Sequence, residues 1–135
     1  MGMRRRSLVL LGTSLALTAC GTSSTYCTTV GCIGAVSVGL EPAVADLITE
    51  PTTIRACLAS ACATQEAVPG QPVLLNLTGT SFEIDTIALT VVATARGAQV
   101  FSAAIPLTGD RINGAGCSPV CFQTAVTVTE AGLSA

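Results

Sequence analysis

Residues 86–96 (TIALTVVATAR) alternate with a period of two, placing Ile87, Leu89, Val91 and Ala93 on one side and Ala88, Thr90, Val92 and Thr94 on the other. Successive side chains of a β-strand point to opposite faces, so this run reads as a strand with one strongly apolar face. Such a face must be buried against a second layer. The same alternation recurs in Val36, Val38 and Leu40, in Ile54, Ala56 and Leu58, in Val73, Leu75 and Leu77, and in Phe122, Thr124, Val126 and Val128. Glu41-Pro42 ends the first run and Pro69-Gly70 marks a turn before the third. Arg96-Gly97-Ala98-Gln99 reads as a hairpin turn into residues 100–107, and 108–116 as a Gly/Asp/Asn-rich loop. Residues 43–49 read as a short helical turn or a loop. At least six short strands separated by turn signals predict an all-β domain, a small antiparallel β-sandwich.

Composition says what the core is made of. Aromatic residues make up 3% of the chain and Trp is absent, while Thr and Val are abundant. The interior must be filled by Val, Leu, Ile and Ala. β-Branched side chains suit a pleated surface better than a helix. An immunoglobulin-type bridge needs two inward cysteines about 60 residues apart. Cys57 and Cys121 have that spacing, but both fall opposite the apolar face, and no Trp is present to pack on them. The expected sandwich is immunoglobulin-like in layout at most.

The N-terminus carries a different kind of signal. Residues 1–6 (MGMRRR) are basic, residues 8–17 (LVLLGTSLAL) are apolar, and small residues flank Cys20. This is the layout of an export signal. Ten helical residues rise about 15 Å against a hydrocarbon core of about 30 Å, too short for a stable span. Leu17-Thr18-Ala19-Cys20 resembles the lipobox of bacterial lipoproteins. That resemblance implies diacylglycerol on the Cys20 thiol, cleavage before Cys20, fatty acylation such as palmitate, and attachment to the extracytoplasmic face of the cell membrane. Two acyl chains give stable anchoring where one is marginal. The implied organisation is a signal peptide over 1–19, a lipidated cysteine with a short tether over 20–26, and a disulfide-containing sandwich over 27–135. Extended, residues 21–26 (GTSSTY) reach about 20 Å, which would keep the domain close to the bilayer. Arg5-Arg6-Ser7-Leu8-Val9 also faintly resembles a twin-arginine export signal. Residues 116–133 (GCSPVCFQTAVTVTEAGL) are similar to the ends of small actinobacterial lipoproteins, a resemblance that implies no activity.

Without the first 19 residues, Arg55, Arg96 and Arg111 stand against all eight acids, a net charge of −5. Nucleic acid and anionic headgroups repel such a domain, and nucleic-acid binding is rejected. Of the seven cysteines, the lipobox takes Cys20 and leaves Cys27, Cys32, Cys57, Cys62, Cys117 and Cys121. An even set in an exported chain reads as disulfides. The six fall into three close pairs, and neighbour pairing is favoured. Val30-Gly31 and Ser118-Pro119 allow the first and third pairs to fold back. Leu58-Ala59-Ser60-Ala61 lacks turn residues, so the middle pair is the least convincing local bridge. The gaps of four, four and three residues, with no His, do not suit zinc.

Without His or Lys, imidazole-based and Schiff-base mechanisms have no residues to run on. Glu83 and Asp85 lie two apart and can share a strand face for acid–base work, but such pairs more often keep a sheet soluble. Asp110 and Asn113 offer oxygens to calcium without the dense ligand pattern a loop site needs. Asn113-Gly114 reads as a turn. Asn76-Leu77-Thr78 fits a glycosylation sequon. No metal, cofactor or catalytic residue is assigned. The expectation is a lipid-anchored cell-envelope protein with a non-catalytic binding or structural accessory domain, held to the membrane through Cys20 and facing an envelope protein partner. The alternative is a carrier of an apolar ligand such as a lipid.

Overall fold

Among the described residues ten strands and one helical turn follow in order: β1 (Ala35–Leu40), α1 (Pro42–Ala45), β2 (Thr52–Leu58), β3 (Ala61–Ala67), β4 (Leu74–Thr78), β5 (Ser81–Phe82), β6 (Thr86–Ala95), β7 (Ala98–Thr108), β8 (Val120–Cys121), β9 (Gln123–Thr129) and β10 (Gly132–Ser134). The structure, a computed structural model, describes Cys27 and residues 32–135. The expected signal peptide, the lipobox Leu17, Thr18, Ala19 and Cys20, and the tether lie outside the described residues.

Two four-stranded sheets, ordered β10-β9-β1-β4 and β3-β2-β6-β7, pack face to face, with a small β5-β8 ribbon beside them. The molecule is therefore an all-β sandwich, as the alternation predicts. The inward residues of the first sheet include Val36, Val38, Leu75, Leu77, Val126 and Val128. They meet Ile54, Ala56, Leu58, Leu89 and Val91 from the second. Each is at most 3% exposed, so the parity read from sequence is the parity of the core. Phe122 is the largest fully buried side chain, and its ring meets Phe82 edge to face with centroids 5.7 Å apart.

Among the described residues all strand pairings are antiparallel except one. β1 runs parallel to β9, with Ala35 beside Gln123 and Leu40 beside Val128, while antiparallel β4 flanks its other side. The chain thus enters β1 and β9 at the same pole. That arrangement overturns neighbour pairing for two of the three bridges. Cys32, three residues before Ala35, bonds Cys121, two residues before Gln123. Cys27 bonds Cys117, with 5.5 Å between Cα atoms. Only Cys57–Cys62, the least convincing pair by sequence, is local. Cys57 and Cys62 stand opposite each other across the β2–β3 hairpin, whose two-residue loop is Ala59-Ser60. Ala59 turns the chain by taking φ +51°, a conformation L-residues adopt at a cost. The immunoglobulin-type Cys57–Cys121 bridge is absent because Cys57 lies on the outer face, opposite buried Ala56 and Leu58.

The β6–β7 hairpin turns at Arg96-Gly97, with φ of 51° and 75°, both positive as a two-residue hairpin of this hand requires. β7 accordingly begins at Ala98, two residues earlier than the sequence reading. Its register shifts beside Ala93/Thr94, leaving Val100 as an extra residue. Phe122 precedes β9 instead of belonging to it. The segment at 43–49 contains a single turn of helix started by Pro42.

Candidate functional site

The two sheets part at one pole. Leu40 at the end of β1, Val44 of α1, Ile48, Ile54 near the start of β2, Val91 and Phe101 wall a cleft of about 310 Å³. It lies at the pole opposite the one where the chain enters β1 and β9. α1 and the following residues arch over its mouth. They are pinned because Glu41 N–H donates to Val128 O at 2.9 Å, and the helical turn closes through Asp46 N–H to Pro42 O. Leu47 and Val100 border the mouth and are 66% and 61% exposed. The bulge places Val100 there, a use of bulges that re-aims a side chain at a site.

The walls are mostly apolar and the surround is acidic. Glu50 lines the cleft and pairs with Arg96 at 2.5 Å. Glu41, Asp46 and Glu130 follow or flank lining segments, while Glu66 stands opposite Thr53 on the outer face of the second sheet. Among the described residues the segments around the cleft carry four carboxylates, Glu41, Asp46, Glu50 and Glu130, against Arg96, a net of −3. The outer sheet faces carry little charge: Thr53, Thr64, Thr90, Ala104 and Ser102 dominate one, around Arg55. Arg55 Nη2 lies 3.6 Å from Cys62 Sγ.

The candidate residues from sequence are distributed elsewhere. Glu83 and Asp85 do not share a strand face; they sit in the bend after β5 and act as struts. Asp85 Oδ1 accepts from Arg111 Nε at 2.6 Å, and a Glu83 carboxylate oxygen accepts from Ser118 Oγ. Arg111 also donates through Nη1 to Cys117 O at 2.9 Å. The hydrogen bond to Asp85 raises the guanidinium above its ordinary pKa, so it is charged at every ordinary pH. Asp110 pairs through its backbone with Cys121, and buried Asn113 donates Nδ2 to Ser118 O at 3.1 Å. These contacts fold the 109–121 segment onto the cysteine-bearing pole. Among the described residues no three His, Cys, Asp or Glu side chains converge as metal ligands, and no helix is long and apolar enough to cross a membrane. Asn76 of the sequon is exposed on β4.

The cleft itself escapes sequence reasoning. Leu47 and Ile48 were the available signal: two adjacent large apolar residues between Asp46 and Glu50, in a segment read as turn or loop. No protein-family model, curated protein or solved structure matches this chain.

Proposed function

We propose that the chain is a lipid-anchored cell-envelope protein whose sandwich is a non-catalytic binding module, with the apolar cleft at one pole as its binding site. One observation carries the binding reading: the sheets stay open where Leu40, Ile48 and Phe101 meet, instead of closing over a sealed core. Pockets for small ligands or anchoring side chains are concave, mostly apolar and run from about 300 Å³ upward. The lipid reading rests on Leu17-Thr18-Ala19-Cys20 after a basic and an apolar segment. The bridges from Cys27 and Cys32 tie the entering chain to the pole opposite the cleft, which supports a cleft facing away from the bilayer.

The carrier reading draws on the same cleft. Its volume sits at the low end of the ligand range, which suits a small ligand or a few side chains better than a two-chain lipid. Two measurements test the proposal. Labelled palmitate should enter the wild type and not Cys20→Ala. Crosslinking in intact cells, with native mass spectrometry of the protein ejected from nanodiscs, should show an occupant lost in Leu47→Arg. An empty cleft by both methods would leave a structural accessory domain instead.

A further inference from the structure

We infer that the cleft receives a short basic segment of a partner polypeptide, which inserts one or two apolar side chains between the sheets while its Lys and Arg side chains meet the acidic surround. This rests on the cleft being a binding site and names its occupant.

Three observations select that occupant. First, the space is small and mostly apolar: about 310 Å³ walled by Leu40, Val44, Ile48, Val91 and Phe101. Anchor side chains buried in such pockets dominate interface energetics. Second, the surrounding charge is predominantly acidic. Glu41, Asp46 and Glu130 are exposed, and Glu50 at the wall is matched by Arg96. Opposite potential speeds encounter and rejects like-charged partners, so anionic lipids and acidic peptides are disfavoured. Third, the carboxylates sit on separate segments: the β1–α1 junction, the residue after α1, the approach to β2 and the β9–β10 turn. A single ammonium group on a small amphiphile meets one such site at a time, whereas a peptide carrying several cations spans them. The exposed rim residues Leu47 and Val100 extend the apolar contact beyond the cleft.

The test uses the full lipidated protein anchored in phosphatidylcholine vesicles, with empty vesicles subtracted. Three fluorescein-labelled peptides share a Leu-Phe centre and carry Lys, Ser or Glu flanks; anisotropy reads binding. The expected order is Lys, then Ser, then Glu, with roughly ten-fold between the extremes at low salt and most of that lost at high salt. Leu47→Arg, at an exposed position that leaves the core intact, should abolish binding of the Lys peptide. The double variant Glu41→Lys, Glu130→Lys should erase its advantage over the Ser peptide. Equal binding of all three peptides, still lost in Leu47→Arg, would overturn the basic partner and leave the cleft as a binding site. No binding by any peptide would overturn both. Docking of the anchored protein onto phosphatidylserine vesicles, with the peptides ignored, would identify a membrane as the occupant and overturn the inference.

Discussion

Cys32 bonds Cys121 across 6.0 Å between Cα atoms although 89 residues separate them in the chain. The cause is the parallel pairing of β1 with β9, which starts both strands at one pole. The arrangement can be read without any structure. The only tryptic sites in residues 20–135 follow Arg55, Arg96 and Arg111, because the chain has no Lys. Unreduced digestion should leave the fragment ending at Arg55 linked to 112–135, and 56–96 unlinked with an internal bridge. Neighbour pairing would give no linkage between fragments.

The two long bridges should act non-additively. Each alone closes a loop of about 90 residues, which the chain-entropy model rates at about 4–5 kcal/mol. Once one is closed, the other closes a loop of only about ten residues, worth about 2–3 kcal/mol. Removing either pair by Cys→Ser should therefore cost about 2–3 kcal/mol, and removing both about 7. Removing Cys57 and Cys62 together should cost about 2 kcal/mol, since that loop spans five residues. Denaturant melts of the four variants measure this. Single removals that sum to the double loss would reject the shared-loop account.

What the sequence shows of this fold follows from what each strand buries. β6 and β9 are legible because Ile87, Leu89, Val91, Val126 and Val128 mark one face at every second position. β3 is not, because its inward residues are Ala61, Ala63, Gln65 and Ala67, small or polar at a sheet edge. Gly97 announces its hairpin, whereas Ala59 hides one by taking positive φ without being glycine. Alternation fixes which way a side chain points and says nothing of which strand lies alongside. The β1–β9 neighbourhood, and with it the long bridges, is therefore invisible in sequence. The cleft is invisible for a related reason: Leu40, Val44, Ile54 and Phe101 come from four elements and meet only in the fold.

Gly34 and Gly39 separate close approach from mere flexibility. A Cβ on Gly34 would lie 2.1 Å from Thr80 O, part of the lock in which Thr80 N–H donates to Gly34 O and Thr80 Oγ1 to Phe122 O at 2.8 Å. The intruding atom meets backbone, which has nowhere to go. Gly34→Ala should cost about 2–3 kcal/mol or more. A Cβ on Gly39 meets nothing nearer than Val73 O at 3.9 Å. Gly39→Ala should change stability by less than about 1 kcal/mol, in either direction. Thermal melts of the two variants under identical conditions decide it; equal losses would show that the Thr80 contact gives way.

Thr90 and Val91 test which face of β6 holds the molecule together. Val91 is 1% exposed and faces Ala56 and Ala103 on its two neighbouring strands, inside the sandwich. Thr90, one residue earlier, is exposed on the outer face beside Cys57 and Ala104. Val91→Asp would put a carboxylate among aliphatic side chains without a partner. It must either stay charged in a poor medium or take up a proton, and both are costly. The loss should exceed about 4 kcal/mol, more than removal of any single bridge, and leave little folded protein. Thr90→Asp keeps its charge in water and should cost about 0.5 kcal/mol or less. Circular dichroism melts of both variants, with the bridges intact, give the comparison. A folded, cooperative Val91→Asp variant would mean that the bridges and not the apolar face carry the stability. Reduction of the wild type breaks all three bridges at once, about 9 kcal/mol by the loop arithmetic above, and should itself unfold most of the protein at room temperature, so only the comparison with bridges intact isolates the apolar face.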